Sequence, residues 1–299
     1  MIIYNGATGG IGRYLGQSIG EGQEAPYSLT SRMEDRAGLI AELAQLGPGD
    51  RVTFIHLAAR VSVPACESDP DGAFQTNVVL ARATVSTVLE WASRCGAVGR
   101  VVYVSSGHVY GAQPDGSKLT EDAPTYPRSV YARTKLAAEE EVRQLCTAMG
   151  APLLIARVFG LLAPGQAAHY VLPSLILRAR TRQLNAIPGL DYTRDYLDAR
   201  DVCTDLALLA SMPWPADALT INICSGEPVT IRELLRQVLV QTDPATADVL
   251  QRRAAAAPGR RDDTRWLVGD PTRFTELTTQ PPKHIPLSTT VADAVRALS

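Results

Sequence analysis

Tyr131 and Lys135 stand four residues apart in the run from Ser129 to Glu140, in a chain with only three lysines, Lys118, Lys135 and Lys283. On a helix that spacing puts both side chains on one face. An ammonium beside a phenol stabilises the phenolate and lowers its pKa from about 10. The pair therefore predicts a Tyr131 phenol tuned downward by Lys135. Such a phenol passes a proton to or from a sugar-type hydroxyl or carbonyl.

A second constellation sits at the start. The apolar run Met1–Tyr4 leads into Asn5-Gly6-Ala-Thr-Gly9-Gly10-Ile11-Gly12, and an apolar helical pattern follows from Ile11 to Ile19. Strand, glycine turn and helix form the setting of a phosphate-binding loop. The glycines allow a tight turn and close approach of backbone to a pyrophosphate. Gly6, Gly9, Gly10, Ile11, Gly12 and Arg13 are the expected dinucleotide contacts. At the end of the second strand a free ribose 2′-hydroxyl wants an acid and a 2′-phosphate wants arginine. The sequence there is Ser28-Leu-Thr30-Ser31-Arg32, with no acid at the tip. Ser31, Arg32 and Arg13 point to NADP(H); NAD is the alternative, with Glu34 or Asp35 on the ribose.

The elements that must position these groups alternate. Apolar runs at Tyr27–Thr30, Val52–Leu57, Val101–Ser105 and Leu153–Val158 are separated mostly by helical patterns at Leu39–Leu46, Phe74–Cys95 and Tyr131–Met149. Alternating βα units predict an α/β fold, a doubly wound parallel sheet. The stretch from Thr30 to Val52 is short, so one βα unit is shortened or absent. Residues 1–159 read as the dinucleotide-binding domain. Residues 160–299 read mainly as a smaller substrate-binding lobe, with chain returning to the sheet near 220–223.

Composition narrows the classes. The 299 residues are 45% hydrophobic and 20% charged, with net charge −2, an ordinary globular balance that gives no electrostatic case for nucleic acid or an anionic membrane. No apolar run nears the ~20 residues of a spanning helix. Met1 opens directly onto an apolar strand, which reads as lacking a signal-peptide n-region. Cys66, Cys95, Cys146, Cys203 and Cys224 are scattered, without Cys-x-x-Cys spacing. They read as buried reduced thiols of a cytoplasmic protein, not a disulfide frame or metal site.

Taken together, the chain resembles the extended short-chain dehydrogenase/reductase family of NAD(P)-dependent nucleotide-sugar epimerases, dehydratases and reductases, with a Rossmann-type sheet. The resemblance is carried by Gly6-x-x-Gly9-x-x-Gly12, His56-Leu57-Ala58-Ala59, Asn77, Val104-Ser105-Ser106-Gly-His-Val-Tyr-Gly111 and Tyr131-x-x-x-Lys135. It implies catalytic Ser106, Tyr131 and Lys135, with Leu57, Ala58, Ala59 and Asn77 at the cofactor beside the glycine turn. Lys135 would hold the ribose hydroxyls. Ala163-Pro-Gly-Gln166, Thr193-Arg-Asp-Tyr196 and Leu267-Val-Gly-Asp-Pro271 look like the GDP-4-keto-6-deoxy-mannose reductase and GDP-mannose dehydratase group. In that group arginines matching Arg194 and Arg260 or Arg261 contact the nucleotide diphosphate, as bidentate guanidinium chemistry suits. Arg194 paired with Asp195 as a loop clamp is the other reading.

Three departures from the pattern stand out. Gly107 and His108 stand where dehydratases carry Asp-Glu, which argues against dehydration. Gly160 stands where Asn is common, and Ala163 replaces a glycine. His108 is an expected sugar contact, or a structural histidine. The implied reaction is NADP(H)-dependent reduction of a keto group on a nucleotide-linked sugar. The same parts would serve an epimerase or sugar dehydrogenase with tightly bound NAD, or a non-catalytic NADP-binding protein. The helical faces of Phe74–Cys95 and Tyr131–Met149 are expected to pair across a two-fold axis in a homodimer.

Overall fold

The computed structural model describes residues 1–16, 25–114, 116–215, 218–257, 259 and 264–298. Chain order begins β1 (Ile2–Tyr4), α1 (Gly12–Leu15), β2 (Tyr27–Ser28), α2 (Arg36–Leu43), β3 (Arg51–His56), α3 (Val63–Ser68) and α4 (Pro70–Phe74). A π-helical turn (Gln75–Leu80) then runs into α5 (Ala81–Arg94), β4 (Val98–Ser106), a 3₁₀ turn (Gly107–Tyr110), α6 (Val130–Met149) and β5 (Leu153–Val158). Beyond lie β6 (Gly160–Leu162), α7 (Val171–Thr181), β7 (Ile187–Pro188), β8 (Thr193–Arg194), β9 (Tyr196–Asp198) and α8 (Ala199–Ser211). The chain closes with β10 (Ala218–Ile223), β11 (Val229–Thr230), α9 (Ile231–Thr242), α10 (Ala247–Arg253), β12 (Ala256–Ala257), β13 (Trp266–Leu267), α11 (Thr272–Thr278) and α12 (Leu287–Ala297).

Six strands form one parallel sheet in the order β10-β5-β4-β3-β1-β2. This is the α/β, doubly wound arrangement that the alternating pattern predicts. The order reverses between β1 and β3, which opens a crevice at their carboxyl ends, where such sheets bind ligands. The strands are apolar on both faces because both are covered. Ile3, Phe54, Val101, Tyr103, Leu153 and Ile155 pack under α2, α5 and α6. Their neighbours Tyr4, Ile55, Val102, Val104, Leu154 and Ala156 face α1, α8 and α11. A third cluster joins α7, α9, α10 and α12.

Local boundaries differ from the periodicity where side chains cap the ends. Asp35 accepts from Gly38 N at 2.8 Å and starts α2 ahead of its apolar stripe. Asp35 is one of the two acids, with Glu34, expected as an alternative ribose partner. The helix expected across Phe74–Cys95 is divided by the π-helical turn. The second strand is the sheet's edge and only Tyr27–Ser28 pairs. Ser129 caps α6, accepting from Ala132 N at 3.1 Å, and Gly150 ends it in the left-handed conformation at φ 63°. All five cysteines are free, but Cys95 is exposed, at the end of α5.

Candidate active site

The glycine turn lies backbone-to-backbone against the loop after β3. Gly6 has φ +75°, and a Cβ there would fall 2.8 Å from Ala58 N. A Cβ on Gly12 would fall 2.2 Å from Gly6 O, so the turn closes only with glycine. Asn5 locks the two loops: its Oδ1 accepts from Leu57 N at 2.9 Å and Ala58 N at 3.1 Å, and Nδ2 lies 3.1 Å from His56 Nδ1. Burial, with the Lys135 charge second, pushes His56 down to about 3, so the ring is neutral. Asn5 was not among the residues singled out in the sequence, although it opens the glycine run.

Arg13 reaches Gly9 O at 3.3 Å and Gly165 O at 3.4 Å, and the Tyr14 hydroxyl donates to Pro164 O at 3.0 Å. Gly10 and Ile11 lie in the same turn, with the Leu161 side chain 3.3 Å from a Cβ on Gly10. Asn77 is buried in the π-helical turn. Its Oδ1 accepts from Arg60 N at 2.7 Å, and Nδ2 donates to Arg60 O and Thr134 Oγ1, each at 3.0 Å. Its side chain thus binds the loop behind Ala59 to α6. That makes Asn77 a brace for the loop that follows the residues expected at the cofactor.

Strand β4 delivers Ser106 and helix α6 delivers Tyr131. Ser106 is buried and its Oγ accepts from His108 N at 3.3 Å. The His108 ring stands edge-on to Tyr131, with centroids 6.3 Å apart. Burial pushes the Tyr131 phenol up to about 12, and a hydrogen bond with Ser106 pulls against it. Glu67, on α3, accepts from Val130 N at 2.6 Å and anchors the helix one residue before Tyr131. No local motif marks that glutamate.

Lys135 corrects the expectation drawn from spacing. Its Nζ donates to the Tyr103 hydroxyl at 2.9 Å and to Val104 O at 2.6 Å. Burial pushes Lys135 down to about 7, with the Glu139 carboxylate pulling upward. The Tyr131 phenol is raised, not lowered, because desolvation dominates and the ammonium is engaged with β4. Glu139 is the hub beneath. It accepts from Ser105 Oγ and from Arg157, whose Nη2 lies 2.7 Å and Nε 3.1 Å away. The Arg157 guanidinium sits 4.8 Å over the Tyr110 ring, and Tyr110 donates to Asn222 Oδ1 at 2.7 Å. Three strands, β4, β5 and β10, are thereby joined under the site.

The remaining expected contacts lie apart from this cluster. Ser31 and Arg32 lie beyond the tip of β2. Arg194 is buried on β8, where Nη1 donates to Thr193 O at 2.8 Å and Arg265 O at 3.5 Å. Asp195 goes elsewhere, accepting from Ser225 N and Oγ, Gly226 N and Gly269 N. Arg260 and Arg261 lie outside the described residues. Among the described residues no group of three His, Cys, Asp or Glu is placed to hold a metal ion.

A family model described as the NAD dependent epimerase/dehydratase family matches residues 5–224, from the glycine turn through β10. The chain belongs to the NAD dependent epimerase/dehydratase family. It is 29% identical to the GDP-6-deoxy-D-mannose reductase of Pseudomonas aeruginosa, over 99% of this chain and 95% of that one. It is 28% identical to the dTDP-6-deoxy-L-talose 4-dehydrogenase (NAD(P)(+)) of Kitasatospora kifunensis, over 98% and 92%. The solved structure of RMD from Pseudomonas aeruginosa complexed with NADPH matches with a TM-score of 0.79 and 27% identity, covering 99% of this chain and 98% of that one.

Two of the positions expected to depart from the resembled pattern are glycines in tight surroundings. Gly107, at a dehydratase acid position, lies against Phe159, whose ring atoms would be 3.0 Å from a Cβ. A Cβ on Gly160 would fall 2.6 Å from Asp195 O and 2.9 Å from the Tyr196 ring. Neither position accepts a larger side chain without repacking. The glycine turn fits a dinucleotide: it closes tightly on its own backbone and leaves N–H groups without side chains at the carboxyl end of β1.

Proposed function

We propose that this chain is an NADP(H)-dependent reductase of a keto group on a nucleotide-linked sugar. Support comes from the full-length similarity to a GDP-6-deoxy-D-mannose reductase and from the likeness to a structure that holds NADPH. The observation that carries the reading is Tyr131 hydrogen-bonded with Ser106, its phenol held protonated by burial. At neutral pH such a phenol is a proton donor. The nicotinamide, when bound, supplies the hydride. Tyr131 protonates the forming alkoxide, and Ser106 donates to the same oxygen. The one N–H of Lys135 beyond the two given to Tyr103 and Val104 is left for the cofactor ribose, and Gly6, Gly9, Gly10, Ile11, Gly12 and Arg13 cradle the pyrophosphate. Leu57, Ala58 and Ala59 line the cofactor, and Ser31 and Arg32 serve its adenosine end. His108, Arg194 and Arg261 are assigned to the sugar nucleotide.

In this reading residues 1–159 serve the dinucleotide and 160–299 mainly the substrate, while β10 adds to the shared sheet. Copies pair through the α4–α5 and α6 faces, where Phe74 is 49% and Val79 42% exposed. The NADP pool and free thiols fit a cytoplasmic setting.

The test is to mix purified protein with NADPH and GDP-, UDP- or dTDP-linked 4-keto-6-deoxy sugars and to follow NADPH absorbance. Consumption coupled to a reduced sugar nucleotide is expected. A protein that purifies with NAD bound, consumes no NADPH and interconverts hydroxyl epimers is an epimerase instead.

A further inference from the structure

Four donors beyond β2 converge on one carboxylate. Glu42 Oε1 accepts from Thr30 N at 2.8 Å and Thr30 Oγ1 at 3.0 Å. Its Oε2 accepts from Ser31 N at 3.0 Å and Ser31 Oγ at 2.7 Å, and the Tyr27 hydroxyl reaches Oε1 at 3.4 Å. Burial works to raise the Glu42 carboxyl, but the hydrogen bonds from Ser31 and Thr30 outweigh it and hold the group below its ordinary value. It is an anion at neutral pH.

The place of this cluster gives it meaning. Strand β2 pairs in parallel with β1, and Leu29 N donates to Tyr4 O at 2.7 Å, so Thr30 and Ser31 lie at the same sheet end as the glycine turn. The adenosine ribose of a dinucleotide comes to that strand tip, where an acid reads the 2′-hydroxyl and cations or donors read a 2′-phosphate. The tip carries no acid in sequence; the fold brings one back from α2. Two successive amides and two hydroxyls facing a bidentate anion form a nest suited to carboxylate or phosphate alike.

We propose that Glu42 is the cofactor-selecting residue of this chain: its carboxylate fills the anion nest of Thr30 and Ser31, accepts from an unphosphorylated ribose, and must leave the nest before a 2′-phosphate enters. NADPH then enters only by exchange of its 2′-phosphate against the chain's own side chain, which lowers its affinity without excluding it. This rests on the reading that the crevice binds a nicotinamide dinucleotide.

Isothermal titration of NADPH and NADH into wild type, Glu42→Ala and Glu42→Gln, without sugar substrate, tests it. Glu42→Gln preserves the shape and one acceptor, so it decides the matter if Glu42→Ala does not fold. The expected result is a shift of threefold or more toward NADPH in the ratio of the two dissociation constants. A smaller shift, or one toward NADH, with both still bound, overturns this proposal alone. If wild type binds neither dinucleotide, the functional reading falls and takes this one with it.

Discussion

Lys135 donates to the hydroxyl of Tyr103 at 2.9 Å, so the helix ammonium and the strand phenol share a buried pocket. His56 stacks on the other partner, 5.6 Å from the Tyr103 ring, and Lys135 is only 2% exposed. Burial puts the Lys135 pKa at about 7 in the folded chain, against 10.5 for the free side chain. Between those values the unfolded chain binds a proton that the folded chain lacks. Stability therefore rises with pH through that window and is lost as pH falls back to about 7. The unfolding free energy of wild type minus that of Lys135→Met should climb from pH 7 to 10, by at most about 1.4 kcal/mol per pH unit. Asp205, raised to about 7 by burial, titrates in both proteins and cancels in the difference. Urea unfolding across that range is the measurement; a gap independent of pH rules out the buried titration.

Tyr131 acts as an acid in the proposed reduction. Tyr131→Phe removes the proton and leaves the ring, so turnover should fall at least about a hundredfold. NADPH affinity should hold within a few-fold, because the glycine turn and Lys135 remain. Ser106→Ala should cost turnover of the same order through loss of a donor to the forming oxyanion, about a hundredfold or more. Since the phenol stays protonated far above neutrality, reduction should show no Tyr131-dependent fall between pH 6 and 9. Steady-state kinetics with parallel binding titrations separates these effects; a fast Tyr131→Phe enzyme removes the phenol from the mechanism.

The parts readable from the sequence are those in which chemistry is local. The glycine turn and the Tyr131/Lys135 spacing are written within a few residues, and alternating apolar runs dictate a parallel sheet. What was not readable depends on long-range placement. Tyr103 meets Lys135 across 32 residues, Asn5 meets Leu57 across 52, and Arg157 meets Glu139 across 18. A sequence window does not reveal which strand faces which helix. Two faint signals existed. Tyr103 and Ser105 alternate onto one strand face, and Glu139 repeats the four-residue step from Lys135. Glu42 gave none, because α2 must fold back before its carboxylate meets Ser31, 11 residues earlier.

Glu139 and Arg157 form a buried ion pair, with side chains 4% and 8% exposed. Removing one partner leaves the other charge without compensation, at a cost of about 3–5 kcal/mol. Glu139→Gln should lower the unfolding free energy by that order and weaken the electrostatic support of the Lys135 ammonium. Replacing Arg157 by Met in the same chain should recover part of the loss, since no lone charge then remains. Denaturant midpoints of the two singles and the double give the coupling directly. A Glu139→Gln protein within about 1 kcal/mol of wild type would show that the pair is not the brace its geometry describes.

The resemblance leads one to expect asparagine at Gly160, and the surroundings of Gly160 leave little room for it. Strand β6 pairs with β9, setting Gly160 opposite Tyr196, and Gly160 N donates to Asp195 O at 2.8 Å. A Cβ at residue 160 would fall 2.6 Å from that same backbone oxygen. Backbone cannot swing aside as a side chain can, and Asp195 is fixed further by Ser225, Gly226 and Gly269. Gly160→Asn should therefore destabilise by at least the ~1–3 kcal/mol of ordinary overpacking. The damage should extend to Arg194, one residue from Asp195, and so to binding of a sugar nucleotide. Gly160→Ala is the sharper probe, because it adds the offending atom and nothing else. Thermal melting of Gly160→Ala against wild type measures the clash, and an unchanged melting temperature would mean that β6 and β9 can separate at no cost.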